Sequence, residues 1–118
     1  MRFRPDEWFA RLPGPPNELW PRGARSVSAL SFGAHELKLY APRGSDPQQP
    51  HARDEIYVVI SGRGRFESAG MAQDFAAGDA LFVAAGVPHR FAECSDDFAT
   101  WVVFCGPEAA SAAPAQKT

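Results

Sequence analysis

The chain reads as an all-β protein, an antiparallel barrel of short strands preceded by a short N-terminal arm. Three observations predict this. Short apolar runs recur between Ser26 and about Gly106, turn-forming residues separate them at regular intervals, and no stretch among them holds a helical period. With 118 residues there is room for one core and no second one of useful size.

The elements follow in order. Residues 1–25 form the arm, in which Pro5 to Leu12 has the acidic first turn of a short helix and Pro13-Gly14-Pro15-Pro16 ends it. Trp8, Phe9, Leu12 and Trp20 are too apolar to stay in water, so the arm is expected to pack on the barrel or on a partner subunit. The barrel occupies 26–106, with candidate strands at 26–32, 35–41, 55–60, 63–67, 80–83, 88–92 and 99–105. Gly33, Gly44-Ser45-Asp46-Pro47, Gly62, Gly70, Gly78-Asp79, Gly86 and Ser95-Asp96-Asp97 supply the breaks. The tail, 107–118, is rich in Ala, Ser, Gln and Pro and is expected to be flexible.

Two strands are apolar on both faces, which a lone sheet with one wet side does not need. Tyr57 and Val59 alternate with Ile56, Val58 and Ile60, and Trp101 and Val103 alternate with Val102 and Phe104. Ile56, Val58, Ile60, Val102 and Phe104 are assigned to the outer face. An outer apolar surface of that size calls for a cover, and a homodimer is expected.

Composition excludes several classes of function. Apolar residues make up 45% and charged residues 22%, an ordinary globular balance. The net charge of −2 comes with scattered basic residues, so no nucleic-acid footprint forms. No apolar run is long enough to span a bilayer, and no apolar segment follows the basic N-terminus as a secretory signal requires. Cys94 and Cys105 form no ligand spacing and read as free thiols of a cytoplasmic protein.

Two stretches carry the chemistry, Gln49-Pro50-His51-Ala52-Arg53-Asp54-Glu55 and Gly78 through His89. They place two imidazoles and a carboxylate at strand starts, each after a turn able to aim it into a barrel mouth. Two neutral imidazoles and one carboxylate with open positions are the donor set of non-haem Fe(II) sites, and Zn, Mn and Ni accept it too. A lone histidine in a loop is ordinarily a surface residue, and His35, without a motif, is read as a partly buried structural histidine. Arg53, Asp54 and Arg90 are read as exposed, with Arg53 within reach of an anionic ligand at the mouth. Tyr57, Phe82, Phe91 and Trp101 are assigned to the core and the pocket lining.

These stretches resemble the two motifs of the cupin superfamily, in its small, single-domain conserved-barrel form. Gly44, His51, Glu55 and Gly62 match the first motif, and Gly78, Gly86 and His89 match the second. The resemblance implies a jelly-roll (double-stranded β-helix) barrel holding one divalent transition metal. Where the family's first motif opens on a further histidine, this chain has Gln49; Ala84 and Glu93 replace a proline and an asparagine of the second. The implied ligand set is therefore His51, Glu55 and His89, with Gln49 as a fourth donor or as a hydrogen-bonding neighbour. The implied function is a metal-dependent enzyme, dioxygenase-like or a lyase or isomerase, acting on a small polar molecule. The alternative is a non-enzymatic module that holds a small ligand or the metal itself.

Overall fold

The structure is a computed structural model that describes residues 1–108, so the expected flexible tail lies outside the described residues except for Pro107 and Glu108. It contains one short helix, α1 (Pro5–Phe9), and eight strands. These are β1 (Ser26–Phe32), β2 (His35–Tyr40), β3 (Asp54–Ser61), β4 (Arg63–Ser68), β5 (Met71–Ala76), β6 (Ala80–Val83), β7 (His89–Ala92) and β8 (Ala99–Cys105). β5 is the one strand the sequence pattern does not announce. Its residues, MAQDFA, lack the apolar alternation of a half-buried strand, and only Phe75 is buried. It forms as the hairpin partner of β4 across the Ala69-Gly70 turn, both residues of which have positive φ.

The strands form two antiparallel sheets, ordered β1-β2-β8-β3-β6 and β5-β4-β7. Register decides what faces the interior. Glu55, Tyr57 and Val59 of β3 lie opposite Phe104, Val102 and Thr100 of β8, and all six are buried. Rings from the second sheet close the core from the other side: Phe91 meets Tyr57 and Phe66 at 4.9 Å between centroids, and Phe75 at 5.5 Å. Aromatic pairs at such spacings contribute about 0.5–1.5 kcal/mol each beyond their burial. The core is therefore stiff directly beneath β3 and β7, the two strands that carry Glu55 and His89.

The same register corrects the expected outer face of β8. Val102 and Phe104 point inward, and Trp101 and Val103 point outward beside Val58 and Ile56. On that outer face Leu39, Ala41 and Ala99 form a second apolar cluster, covered by Trp8 and Leu12 of the arm together with Val27, Ile60 and Trp101. The arm thus packs on its own barrel. Trp20, farther along the arm, joins the interior core beside Tyr40. The cover is partial, since Ile56, Val58 and Phe82 remain 39%, 40% and 63% exposed.

Gly62 shows why the β3–β4 turn is tight. Its φ is +84°, and a Cβ there would lie 2.7 Å from the Cα of Phe98. Only glycine fits both conditions. Among the described residues no helix is long and apolar enough to cross a membrane.

Candidate metal centre

Glu55 and Tyr57 stand two residues apart on β3, so strand periodicity puts both side chains on the inward face. His89 opens β7 and enters from the other sheet. His51 belongs to the loop before β3, and that loop is fastened to the turn before β7 at two points. The Gly86 N–H donates to the His51 carbonyl (2.8 Å), and the Ala85 N–H donates to the Asp54 carboxylate (2.8 Å). Asp54 is exposed, as its sequence context suggests, yet its side chain locks the two motif loops together.

The three groups converge. His51 Nε2 is 3.2 Å from Glu55 Oε1, and His89 Nε2 is 3.0 Å from Glu55 Oε2. One ligand atom from each residue lies within 4.8 Å of the others, and all three side chains are buried. The Tyr57 hydroxyl sits among them, 3.2 Å from Glu55 Oε2 and 3.1 Å from His89 Nε2.

Counting protons shows that these residues suit a cation. His89 Nδ1 is 2.9 Å from the Val87 carbonyl, so its proton belongs on Nδ1 and the Nε2 lone pair of the neutral ring faces the Glu55 carboxylate. This is the arrangement in which metal-bound histidines are commonly held, the second ring nitrogen donating to a carbonyl. Glu55 Oε1 is buried and accepts no hydrogen bond. Lone pairs aimed at one another in a dry site repel unless a positive charge lies between them. The protein answers in part by favouring a proton on His89. Burial alone lowers the imidazole pKa, but the hydrogen bond and charge of Glu55 outweigh it and leave the value above 6.5. Tyr57 stays a neutral phenol, because burial and then the Glu55 charge push its pKa well above 10. Two imidazole nitrogens and a carboxylate suit a divalent transition metal.

The structure revises the fourth position. Gln49 is exposed, while its neighbour Gln48 is buried with Oε1 at 3.0 Å from His51 Nε2 and 3.3 Å from the Tyr57 hydroxyl. Residues 41–53 form no strand, so the two-residue alternation that places Glu55 and Tyr57 does not run back to position 49. Of the aromatic positions, Tyr57 belongs to the site itself. Phe91 is buried beneath it as support. Phe82 lies on the outer surface opposite Ile56, and Trp101 packs in the outer cluster, so neither lines the centre. His35 accepts a hydrogen bond from the Gly106 N–H at 2.8 Å, a structural role. Arg53 pairs with Glu36 at 3.2 Å and lies over Phe104, whose ring in turn abuts His51.

The family model for the cupin domain matches residues 37–105, from β2 through β8, including all three converging residues. The chain belongs to the cupin family. An uncharacterised protein of Streptomyces coelicolor is 42% identical over 64 residues, covering 54% of this chain and 61% of that protein. The chain thus spans under two thirds of that curated relative. Among solved structures, a cupin-2 domain protein from Shewanella frigidimarina superposes with a TM-score of 0.64 at 17% identity, covering 90% of this cupin and 94% of that chain. The DMSP lyase DddQ from Ruegeria pomeroyi superposes with a TM-score of 0.60 at 22% identity, covering 69% of this cupin and 46% of the lyase. At these identities the likeness is one of fold.

Proposed function

We propose that this cupin holds one divalent transition metal through His51, Glu55 and His89. In this reading it is a metal-dependent lyase or isomerase acting on a small polar molecule. The observation that carries the enzymatic reading is the Tyr57 hydroxyl, 3.1 Å from His89 Nε2 and 3.2 Å from Glu55 Oε2. When bound, the metal supplies a Lewis acid that polarises a substrate oxygen. The chain supplies the rest. Glu55 and the two imidazoles fix the charge and shape of the centre, and buried Phe91 holds the Tyr57 ring in place. Tyr57 Oη carries a proton at the edge of the donor set, where it can be delivered to a substrate atom. The fold shared with a lyase agrees with such chemistry and does not establish it.

A second reading, a module that holds a metal without catalysis, is favoured by closure of the centre. His51, Glu55 and His89 are only 3%, 0% and 7% exposed. Incubating Mn(II)-loaded protein in D₂O with a panel of small hydroxy, keto and β-substituted acids separates the two. The enzymatic reading expects deuterium incorporation or product by NMR, lost in Tyr57→Phe while metal content is retained. Loaded protein that leaves the whole panel unchanged supports the binding module instead.

A further inference from the structure

Gln48 is held in a network that the metal ligands alone do not require. Its amide nitrogen Nε2 donates to Asp46 Oδ2 at 2.7 Å, and Asp46 Oδ1 accepts a hydrogen bond from the Tyr40 hydroxyl. The Phe91 N–H donates to Asp46 Oδ2 at 2.8 Å, which ties the carboxylate to β7 two residues beyond His89. An ionised carboxylate only accepts hydrogen bonds. The face of the Gln48 amide that meets Asp46 must therefore be the nitrogen, and the oxygen must face the opposite way. That way lies the metal centre, with Oε1 at 3.0 Å from His51 Nε2 and at 3.3 Å from the Tyr57 hydroxyl. A free glutamine amide turns over readily. Here one orientation is imposed, and it turns the amide oxygen toward the same His51 Nε2 that Glu55 Oε1 approaches at 3.2 Å.

We propose that Gln48 is the fourth donor of the centre, and that Asp46 is a positioning residue that keeps the amide oxygen turned inward. The proposal rests on the metal reading above. It has a consequence for selectivity. An amide oxygen is a harder donor than an imidazole nitrogen, and oxygen donors favour Mn(II) relative to Ni(II), Cu(II) and Zn(II). Gln48 thus shifts the centre toward harder cations without changing its charge.

Co(II) titration of the purified full chain, read by its visible d–d absorption and by calorimetry, tests this without recourse to activity. Gln48→Leu is expected to weaken Co(II) binding at least about tenfold and to alter the absorption bands, since a donor is lost. Gln49→Ala is expected to leave both unchanged. Gln48→His keeps a donor and is expected to raise the preference for Ni(II) over Mn(II) at least about tenfold. Asp46→Asn is expected to weaken binding in the wild-type background and to have no further effect in Gln48→Leu, because its influence runs through that amide. A Gln48→Leu variant with unchanged affinity and spectrum, beside a His51→Ala variant that no longer binds, overturns the fourth donor and leaves the three-residue centre standing. Wild-type protein that binds no Co(II) overturns both.

Discussion

Replacing Glu55 by glutamine separates what the centre does for the fold from what it does for a metal. Glu55 is fully buried, its Oε1 accepts no hydrogen bond, and its Oε2 faces the His89 lone pair at 3.0 Å. Glu55→Gln removes a buried charge while keeping the shape, and its amide adds a donor facing the acceptor His89 Nε2. One gained hydrogen bond contributes about 1 kcal/mol, and relief of a poorly satisfied buried charge adds a similar or larger amount. Metal-free Glu55→Gln is therefore expected to be more stable than wild type by about 1–3 kcal/mol, roughly 4–15 °C in Tm for a domain near this size.

The gain depends on pH in a definite direction. The His89 pKa is raised in the folded state. Its ion pair with Glu55 therefore stabilises wild type fully below about pH 6.5, the unfolded value, and is lost as pH rises through the folded value. The advantage of the variant is thus largest in alkaline buffer and shrinks toward pH 6. With metal present the order reverses, because a ligand at about 1,000 times its Kd adds about 4.1 kcal/mol to the wild type. Differential scanning calorimetry with EDTA and with Mn(II), at pH 6 and pH 9, reads all four conditions. A metal-free variant less stable than wild type at pH 9 would instead make the carboxylate an ordinary stabilising partner of its neighbours, contrary to this expectation.

Three further outcomes are expected. Gly62→Ala forces a non-glycine residue to φ +84° and sets its Cβ 2.7 Å from the Cα of Phe98. Its urea midpoint should fall by an amount equivalent to more than about 1–2 kcal/mol, and an unchanged midpoint counts against the tight turn. The Cys94 thiol is pushed up to about 11 by burial and then by the Asp46 charge. At pH 8 its alkylation, followed by peptide mass spectrometry, should run roughly a hundredfold slower than in urea; equal rates contradict that environment. The exposed strip of Ile56, Val58 and Phe82 is expected to pair with a second copy. Light scattering should then give about twice 12.8 kDa, whereas a single species at 12.8 kDa removes the dimer.

Much of the fold was legible because strand and turn signals are local. Glycines at Gly62, Gly78 and Gly86 mark turns where the backbone takes positive φ, and the alternation in β3 places Glu55 and Tyr57 together. The face of β8 was not legible: with apolar residues on both sides, only pairing with β3 decides that Val102 and Phe104 turn inward. Position 48 was hidden for a related reason. The loop before β3 has no period from which to count, and the preference for Gln48 over Gln49 comes from Asp46 and Tyr40, whose contacts exist only once β2, β7 and the loop have come together. Tyr57 was legible as a pocket residue, since a residue two places after a ligand on the same strand shares its face.

Whether His51, Glu55 and His89 hold a metal is read by elemental analysis. The protein is expressed in metal-supplemented medium and purified without chelators or a metal-affinity tag, beside His51→Ala and His89→Ala. Close to one divalent transition-metal ion per wild-type chain is expected, and folded variants with nearly none. Wild-type occupancy should decline as pH is lowered from about 8 to 5, because protonated imidazoles do not ligate. Wild-type protein with no metal, or both histidine variants with undiminished metal, would contradict metal binding by these three residues.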